Sequence, residues 1–361
     1  MHGKSYDLEG VSRREYLRAM CAGSLGVVGL SGLVEGAHGE NPDGVPLVTK
    51  YDLSGQPAEV RFVSKERKRR LETLENIGSS QLGQQSGIKG ISLERVGSST
   101  ATPRIVVEMD RISSSRRSNL PAEANNVPIK YKEVGESEIK LESDCRAGET
   151  FDTLEGNIAV GGATLDGTQI DYSRGTLSFV ANDSSSGDEV AVTAYHVMEE
   201  HQDNMHQPPN PTLDGSRIVG SHMRHSGVSS NGYDLAVYSV NSGENINIAG
   251  TKEGSQADIS GTYSYAGLED TLSRGYEPEV SLAGKETCYE TTNVKDVKQN
   301  AHLKHEVQYY EAGIGGDSGS PLVDEFGYLV GTHSGDFNNG VTSGSFGPVA
   351  NEALNSLNIE F

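Results

Sequence analysis

Three residues in this chain have the types and the order needed to attack a carbonyl carbon. Ser318 stands in Gly315-Gly316-Asp317-Ser318-Gly319-Ser320-Pro321-Leu322-Val323. A serine hydroxyl is a poor nucleophile at neutral pH and needs a base to take its proton, held in turn by a third group. His196 closes Thr193-Ala194-Tyr195-His196-Val197, and Asp234 opens the apolar run Asp234-Leu235-Ala236-Val237-Tyr238. In that combination the imidazole takes the serine proton, while the aspartate accepts the other ring N–H and stabilises the imidazolium. The glycines serve the same end. Gly316 and Gly319 can take backbone conformations closed to residues with a Cβ, and they leave room for a substrate chain. The N–H groups of Gly316 and Ser318 can then converge where an oxyanion develops.

The elements that must position these groups read as β. From about Gly156, glycine-rich turns recur and the segments between them alternate in polarity. Residues 175–180 and 189–194 pair as a hairpin across the loop 182–188, which delivers His196 at a strand end. Val349, Ala350, Leu354 and Leu357 share one side of a short terminal helix. Residues 39–150 differ in texture and read as a small α+β pro- or accessory region. Ser64 is a candidate N-cap for a helix carrying Leu71, Leu74 and Ile77. The basic residues Lys65, Arg67, Lys68, Arg69 and Arg70 form a solvated helix face or a cleavage-prone connector. Short strands are expected over 105–109 and 127–131.

The net charge of −21 speaks against nucleic-acid binding, which wants basic clusters. It serves solubility or, more sharply, adaptation to molar salt, where screening makes carboxylate repulsion tolerable. Cys145 and Cys288 could form one disulfide or stay free thiols; Cys21 lies in a leader. The pairs His222/His225 and His302/His305 could suggest a metal, but zinc wants three or four convergent ligands and none stand nearby, so no metal and no cofactor is expected. The apolar run 19–34 is too short and too weakly hydrophobic for a membrane span. With Ser12-Arg13-Arg14-Glu15-Tyr16-Leu17 before it, the region 1–38 resembles a twin-arginine export signal, which implies a secreted protein.

The region 151–361 resembles the chymotrypsin-like (trypsin-like) serine peptidase family in its bacterial and archaeal branch. The blocks that carry the resemblance are Thr-Ala-Tyr-His-Val, Asp-Leu-Ala-Val and Gly-Asp-Ser-Gly-Ser-Pro-Leu, in that order. It implies an all-β fold of two six-stranded antiparallel barrels with the site in the cleft between them. It also implies His196 as general base, Asp234 as its orienting group, Ser318 as nucleophile, and Gly316 and Ser318 N–H as the oxyanion hole. A fourth block, Leu329-Val330-Gly331-Thr332-His333-Ser334-Gly335, resembles the strand that lines the substrate pocket and pairs with the substrate backbone. Ser334 takes the position whose hydroxyl and carbonyl contact the catalytic aspartate and the bound peptide.

The departures bear on specificity. Tyr195 replaces a small residue beside the base, and the disulfide that usually brackets the histidine cannot form. Ala312 sits where trypsin-type enzymes carry an aspartate for basic side chains. His333 matches the histidine by which glutamyl endopeptidases receive a carboxylate, whereas Asp336 would oppose one. The resemblance therefore points to a monomeric, exported serine endopeptidase, made as a zymogen, that acts on protein or peptide substrates. Its preference is for Glu or for small or apolar residues. The alternative is a catalytically silent β-barrel module for adhesion or recognition.

Overall fold

The expected hairpin forms in part: residues 179–182 pair with 189–192, whereas Gly175 and Thr176 pair with Val160 and Ala159 instead. β12 (Phe179–Asp183) pairs antiparallel with β13 (Glu189–Thr193), Phe179 opposite Val192 and Asn182 opposite Glu189. Its turn is shaped by Asp183, whose carboxylate accepts the N–H groups of Ser185 (2.8 Å) and Ser186 (3.3 Å). The computed structural model describes residues 44–80, 83, 87–94, 104–110, 120–134, 138–141, 154–155, 159–166, 169–172, 175–199, 204–207, 217–241, 246–247, 259–282, 284, 290–313, 316–338 and 343–361. The twin-arginine region, Cys145 and Cys288 lie outside them.

Ahead of the hairpin come β1 (Val45–Asp52), β2 (Pro57–Val63), α1 (Lys65–Ser79), β3 (Ile88–Leu93), β4 (Ile105–Met109), β5 (Glu123–Ala124), β6 (Val127–Glu133) and β7 (Glu138–Leu141). Next stand β8 (Leu154–Glu155), β9 (Ala159–Asp166), β10 (Gln169–Tyr172) and β11 (Gly175–Thr176). After the hairpin follow α2 (Tyr195–Met198), β14 (Asn204–Gln207), β15 (Arg217–Ser226), β16 (Leu235–Ser239) and β17 (Ile246–Asn247). The last part holds β18 (Gly261–Tyr263), α3 (Tyr265–Ser273), β19 (Glu279–Leu282), β20 (Glu290–Gln299), β21 (His305–Tyr309), β22 (Pro321–Asp324), β23 (Tyr328–Thr332), β24 (Gly335–Asn338), β25 (Ser343–Pro348), α4 (Ala350–Ser356) and β26 (Ile359–Glu360).

Among the described residues two large sheets form, as an all-β double-barrel architecture requires, beside a two-stranded β8–β17 pair. One runs β10-β9-β14-β15-β16-β13-β12-β26; the other contains β18-β23-β22-β19-β20-β21-β25-β24. The short terminal helix is present, and Ala353, Leu354 and Leu357 pack into a core with Phe179, Val192, Leu235 and Leu329. The chain end thus fastens the first sheet to the second, with β26 pairing onto β12.

The α+β region is welded to the second sheet. β1 pairs with β18, β3 with β20 and β7 with β24, while Leu71, Leu74, Ile91 and Ile105 share one core with Leu268, Val280, Val294 and Val307. Ser64 caps α1 as expected, accepting from Arg67 N at 3.1 Å. The basic run is a solvated face only in part, since Lys65 and Arg69 are exposed while the other members turn toward partners. Arg67 bonds the carboxylate of Asp270 and the hydroxyl of Ser273 on α3, and Arg70, largely buried, pairs with Glu66. Asp270 is 0 % exposed and gathers Arg61 (3.6 Å) and Arg274 (2.8 Å) as well. Such a buried carboxylate needs opposing charge, and α1 supplies it. Lys50 of β1 makes a second lock, 3.0 Å from Asp324 and over the rings of Tyr263 (4.4 Å) and Tyr328 (4.3 Å).

Where α1, α3 and α4 meet, Glu75, His305 and Glu352 line a small cavity. Glu352 is half-buried as a residue, yet its carboxylate is enclosed: one oxygen accepts Tyr265 N at 3.0 Å and the other accepts nothing among the described residues. Burial, abetted by Glu75, pushes this carboxyl up from 4.5 to about 7. Burial first, then Lys304, pushes His305 down from 6.5 to about 4, and its Nδ1 meets Tyr233 Oη at 2.8 Å. Between pH 4.5 and 7 the folded protein holds a Glu352 proton that the unfolded chain has released, so stability falls as pH rises through 7. Between pH 6.5 and 4 the unfolded chain holds a His305 proton that the folded protein lacks, so stability falls again as pH drops through 4. Glu352→Gln should raise urea stability above pH 7 by up to roughly 3 kcal/mol and leave it unchanged below pH 4.5. Urea midpoints across that range check it; an unchanged alkaline limb would refute the assignment.

Candidate active site

His196 sits in the single turn α2, directly after β13, and Asp234 precedes β16, the strand paired with β13. Adjacent strands therefore bring the two together. The backbone N–H of His196 donates to one Asp234 carboxylate oxygen (3.0 Å), and ring Nδ1 lies 2.8 Å from the other. A carboxylate accepts, so this pairing is one in which the ring N–H at Nδ1 donates. Asp234 reaches this position with φ of +48°, a left-handed conformation that aspartate tolerates better than most residues. Its carbonyl accepts Tyr195 N (3.2 Å) and its N–H reaches Gly227 O (3.3 Å), locking the carboxylate against the start of α2. Tyr195 has a structural place of its own, stacked on the His225 ring at 4.2 Å.

Ser318 is held from both sheets. From the first, Thr176 N bonds Ser318 O (2.7 Å) and Thr176 Oγ1 bonds Gly316 O (2.8 Å). From the second, Gly319 N bonds His333 O (2.9 Å) and His333 N bonds Ser320 O (2.8 Å). The Asp317 carbonyl accepts Ser320 N at 2.8 Å. Because a trans peptide points its C=O and N–H in opposite directions, the Ser318 N–H faces away from that bond, as an oxyanion donor must. Gly319 has φ of +97°, and a Cβ there would stand 2.1 Å from Thr176 O, so glycine is obligatory. Ser318 and Asp234 are 0 % exposed and His196 is 8 % exposed.

Ala312, His333, Ser334 and Gly335 stand as follows. Ala312 N bonds Ser345 Oγ (3.0 Å), and that hydroxyl reaches Asp336 Oδ1 (2.6 Å). His333 is buried with Nδ1 against Tyr309 Oη, and its Nε2 faces Gly313, where a Cβ would lie 3.3 Å away. Gly313 N donates to Glu290 (2.9 Å). Gly335 follows on β24, paired with Phe346. One expected contact is not made: the buried Ser334 hydroxyl has no hydrogen bond among the described residues, and both Asp234 oxygens are taken by His196. Thr176, Tyr309 and Ser345 were not singled out from sequence. None belongs to a recognisable block; only Thr176, beside a turn glycine in the expected hairpin, offered even a weak signal.

The other histidines have local partners. Burial disfavours the His302 cation, but Glu306 at 3.2 Å outweighs it and raises the pKa; His222 and His225 meet ring to ring at 3.2 Å. No group of three or more metal-ligating side chains occurs among the described residues. No described helix is long and apolar enough to cross a membrane.

Residues 182–354 match the family model described as Trypsin. No curated protein matches the chain in sequence. Among solved structures it is similar to a glutamic acid-specific serine protease described as using a histidine triad in substrate binding. That pair shares 17% identity at a TM-score of 0.39, over 57% of this chain and 98% of the other. A Nocardiopsis protease gives 19% identity and a TM-score of 0.36 over 58% and 98%; a Cellulomonas bogoriensis chymotrypsin gives 15% and 0.37 over 58% and 98%.

Proposed function

Because residues 182–354 form a serine endopeptidase domain of the trypsin family, we propose that Ser318, His196 and Asp234 cut peptide bonds through an acyl-enzyme. The observation that carries this is the double hold of Asp234 on His196, through the backbone N–H and ring Nδ1. His196 Nε2 takes the Ser318 proton as Oγ attacks the scissile carbonyl; the imidazolium, stabilised by Asp234, protonates the leaving amine. Water then repeats the sequence to free the acid. The N–H groups of Gly316 and Ser318 receive the oxyanion in both halves.

A preference for Glu at the cleaved bond is supported by His333, whose Nε2 faces the pocket residue Gly313. Small side chains are favoured by the Ser345–Asp336 bond beside Ala312, which sets a carboxylate where a glutamate would be repelled. Cleavage profiling of a peptide library in molar salt, with Ser318→Ala as control, separates the two. Glu enriched at cut bonds supports the first. Enrichment of Ala, Ser or Val supports the second, and no cleavage at all refutes the peptidase reading.

The enzyme is proposed to act as a secreted monomer exported by the twin-arginine motif at residues 12–17. Retention of an Arg13→Lys, Arg14→Lys chain inside cells tests the route. The charge of −21 is read as adaptation to molar salt, and full stability in dilute buffer would contradict that.

A further inference from the structure

β24 runs directly from the residues that hold the nucleophile loop, since Gly319 N bonds His333 O and Ser334, Gly335 and Asp336 follow. One side of β24 pairs with β25. Along the other lies β7, antiparallel, with Leu141 opposite Gly335, Lys140 opposite Asp336, Ile139 opposite Phe337 and Glu138 opposite Asn338. β7 ends the strand path of its sheet, so without it this edge of β24 would be open. An extended peptide that presents its carbonyl to Ser318 has to add to the sheet at this edge, by main-chain hydrogen bonds. On the serine peptidase reading above, we propose that residues 138–141 are a built-in occupant of the substrate-binding edge. The chain must release this strand before a peptide can be cut.

Two observations support the occupant. Its direction and ladder are those of an added strand rather than of a crossing loop. It is delivered by β6, which pairs with β4 in a region fixed to the second sheet by the Lys50–Asp324 pair and a shared core. Four residues, 134–137, separate β6 from β7. A tether that short keeps the strand at an effective concentration on the order of mM, enough to compete with peptides that bind in the μM range.

The test compares the full chain with a variant in which 138–141 is replaced by Gly-Ser-Gly-Ser, and with Ile139→Val as a conservative control. The expected result is an apparent KM for an extended peptide at least about tenfold lower in the replaced variant, with kcat unchanged. The Ile139→Val chain should behave as the original, and acetyl-Glu-Ile-Lys-Leu-amide should inhibit the replaced variant competitively. Equal KM values with no inhibition would mean that β7 merely covers a sheet edge, and would overturn the proposal while leaving the peptidase reading intact. If no chain cuts any peptide, the peptidase reading fails and this proposal falls with it. Should the variant not fold, amide exchange on the unaltered chain decides. Amides in 138–141 should lose protection once Ser318 is capped with a peptidyl phosphonate; unchanged protection overturns the proposal.

Discussion

Ser318→Ala is expected to lower kcat by about a million-fold, and His196→Ala by as much, with the fold intact. The near-equality follows from the chemistry. Either change leaves no activated alkoxide, so the double variant should be no worse than either single one. Asp234→Asn should cost about ten-thousand-fold, because the amide can present N–H to Nδ1 and favour the tautomer whose Nε2 is already protonated. Here that substitution has an added consequence. Asp234 also accepts the backbone N–H of His196, so the variant is expected to loosen the start of α2 and lower the midpoint of unfolding. Steady-state kinetics on an ester and a peptide, alongside urea titration, separate the two effects. A single variant that keeps a tenth of the original kcat would exclude its residue from the mechanism.

The largest stability effect is expected far from that centre. Asp324 accepts Lys50 Nζ (3.0 Å), Tyr263 Oη (3.0 Å) and the N–H groups of Phe326 (2.9 Å) and Tyr328 (2.8 Å). Asp324→Ala leaves the Lys50 cation, 6 % exposed, without that carboxylate, at a cost of about 3–5 kcal/mol. Lys50→Met should cost less, since Asp324 keeps three donors. Combining Lys50→Met with Asp324→Leu should recover most of the loss, because an apolar pair of similar volume avoids desolvating two charges. Urea unfolding of the original and the three variants measures each cost. A cost below about 1 kcal/mol for Asp324→Ala would mean that β1 is not locked to the second sheet as its contacts indicate.

These results bear on how much the sequence disclosed. The triad candidates and the hairpin before His196 were legible because acyl transfer restricts both residue type and order, and because turn glycines mark strand ends. The docking of the α+β region was not. A strand edge does not name its partner, and β1 with β18, or β7 with β24, join segments far apart in the chain. The partner of Arg67 was hidden for the same reason: the carboxylate it meets belongs to Asp270, 203 positions away. Ser345 and Tyr309 shape the pocket from β25 and the end of β21, where ordinary alternation hides their roles. Ser334 shows the converse. The resemblance of its block implies a hydrogen bond that its hydroxyl does not make among the described residues.

The most direct test is to map the residue that a fluorophosphonate modifies in the folded chain under high salt. A single adduct on the peptide bearing Ser318, formed orders of magnitude more slowly in His196→Ala and lost in Ser318→Ala, is the expected result. An adduct on another serine, or labelling of Ser318 that does not depend on His196, would contradict the proposed catalytic centre.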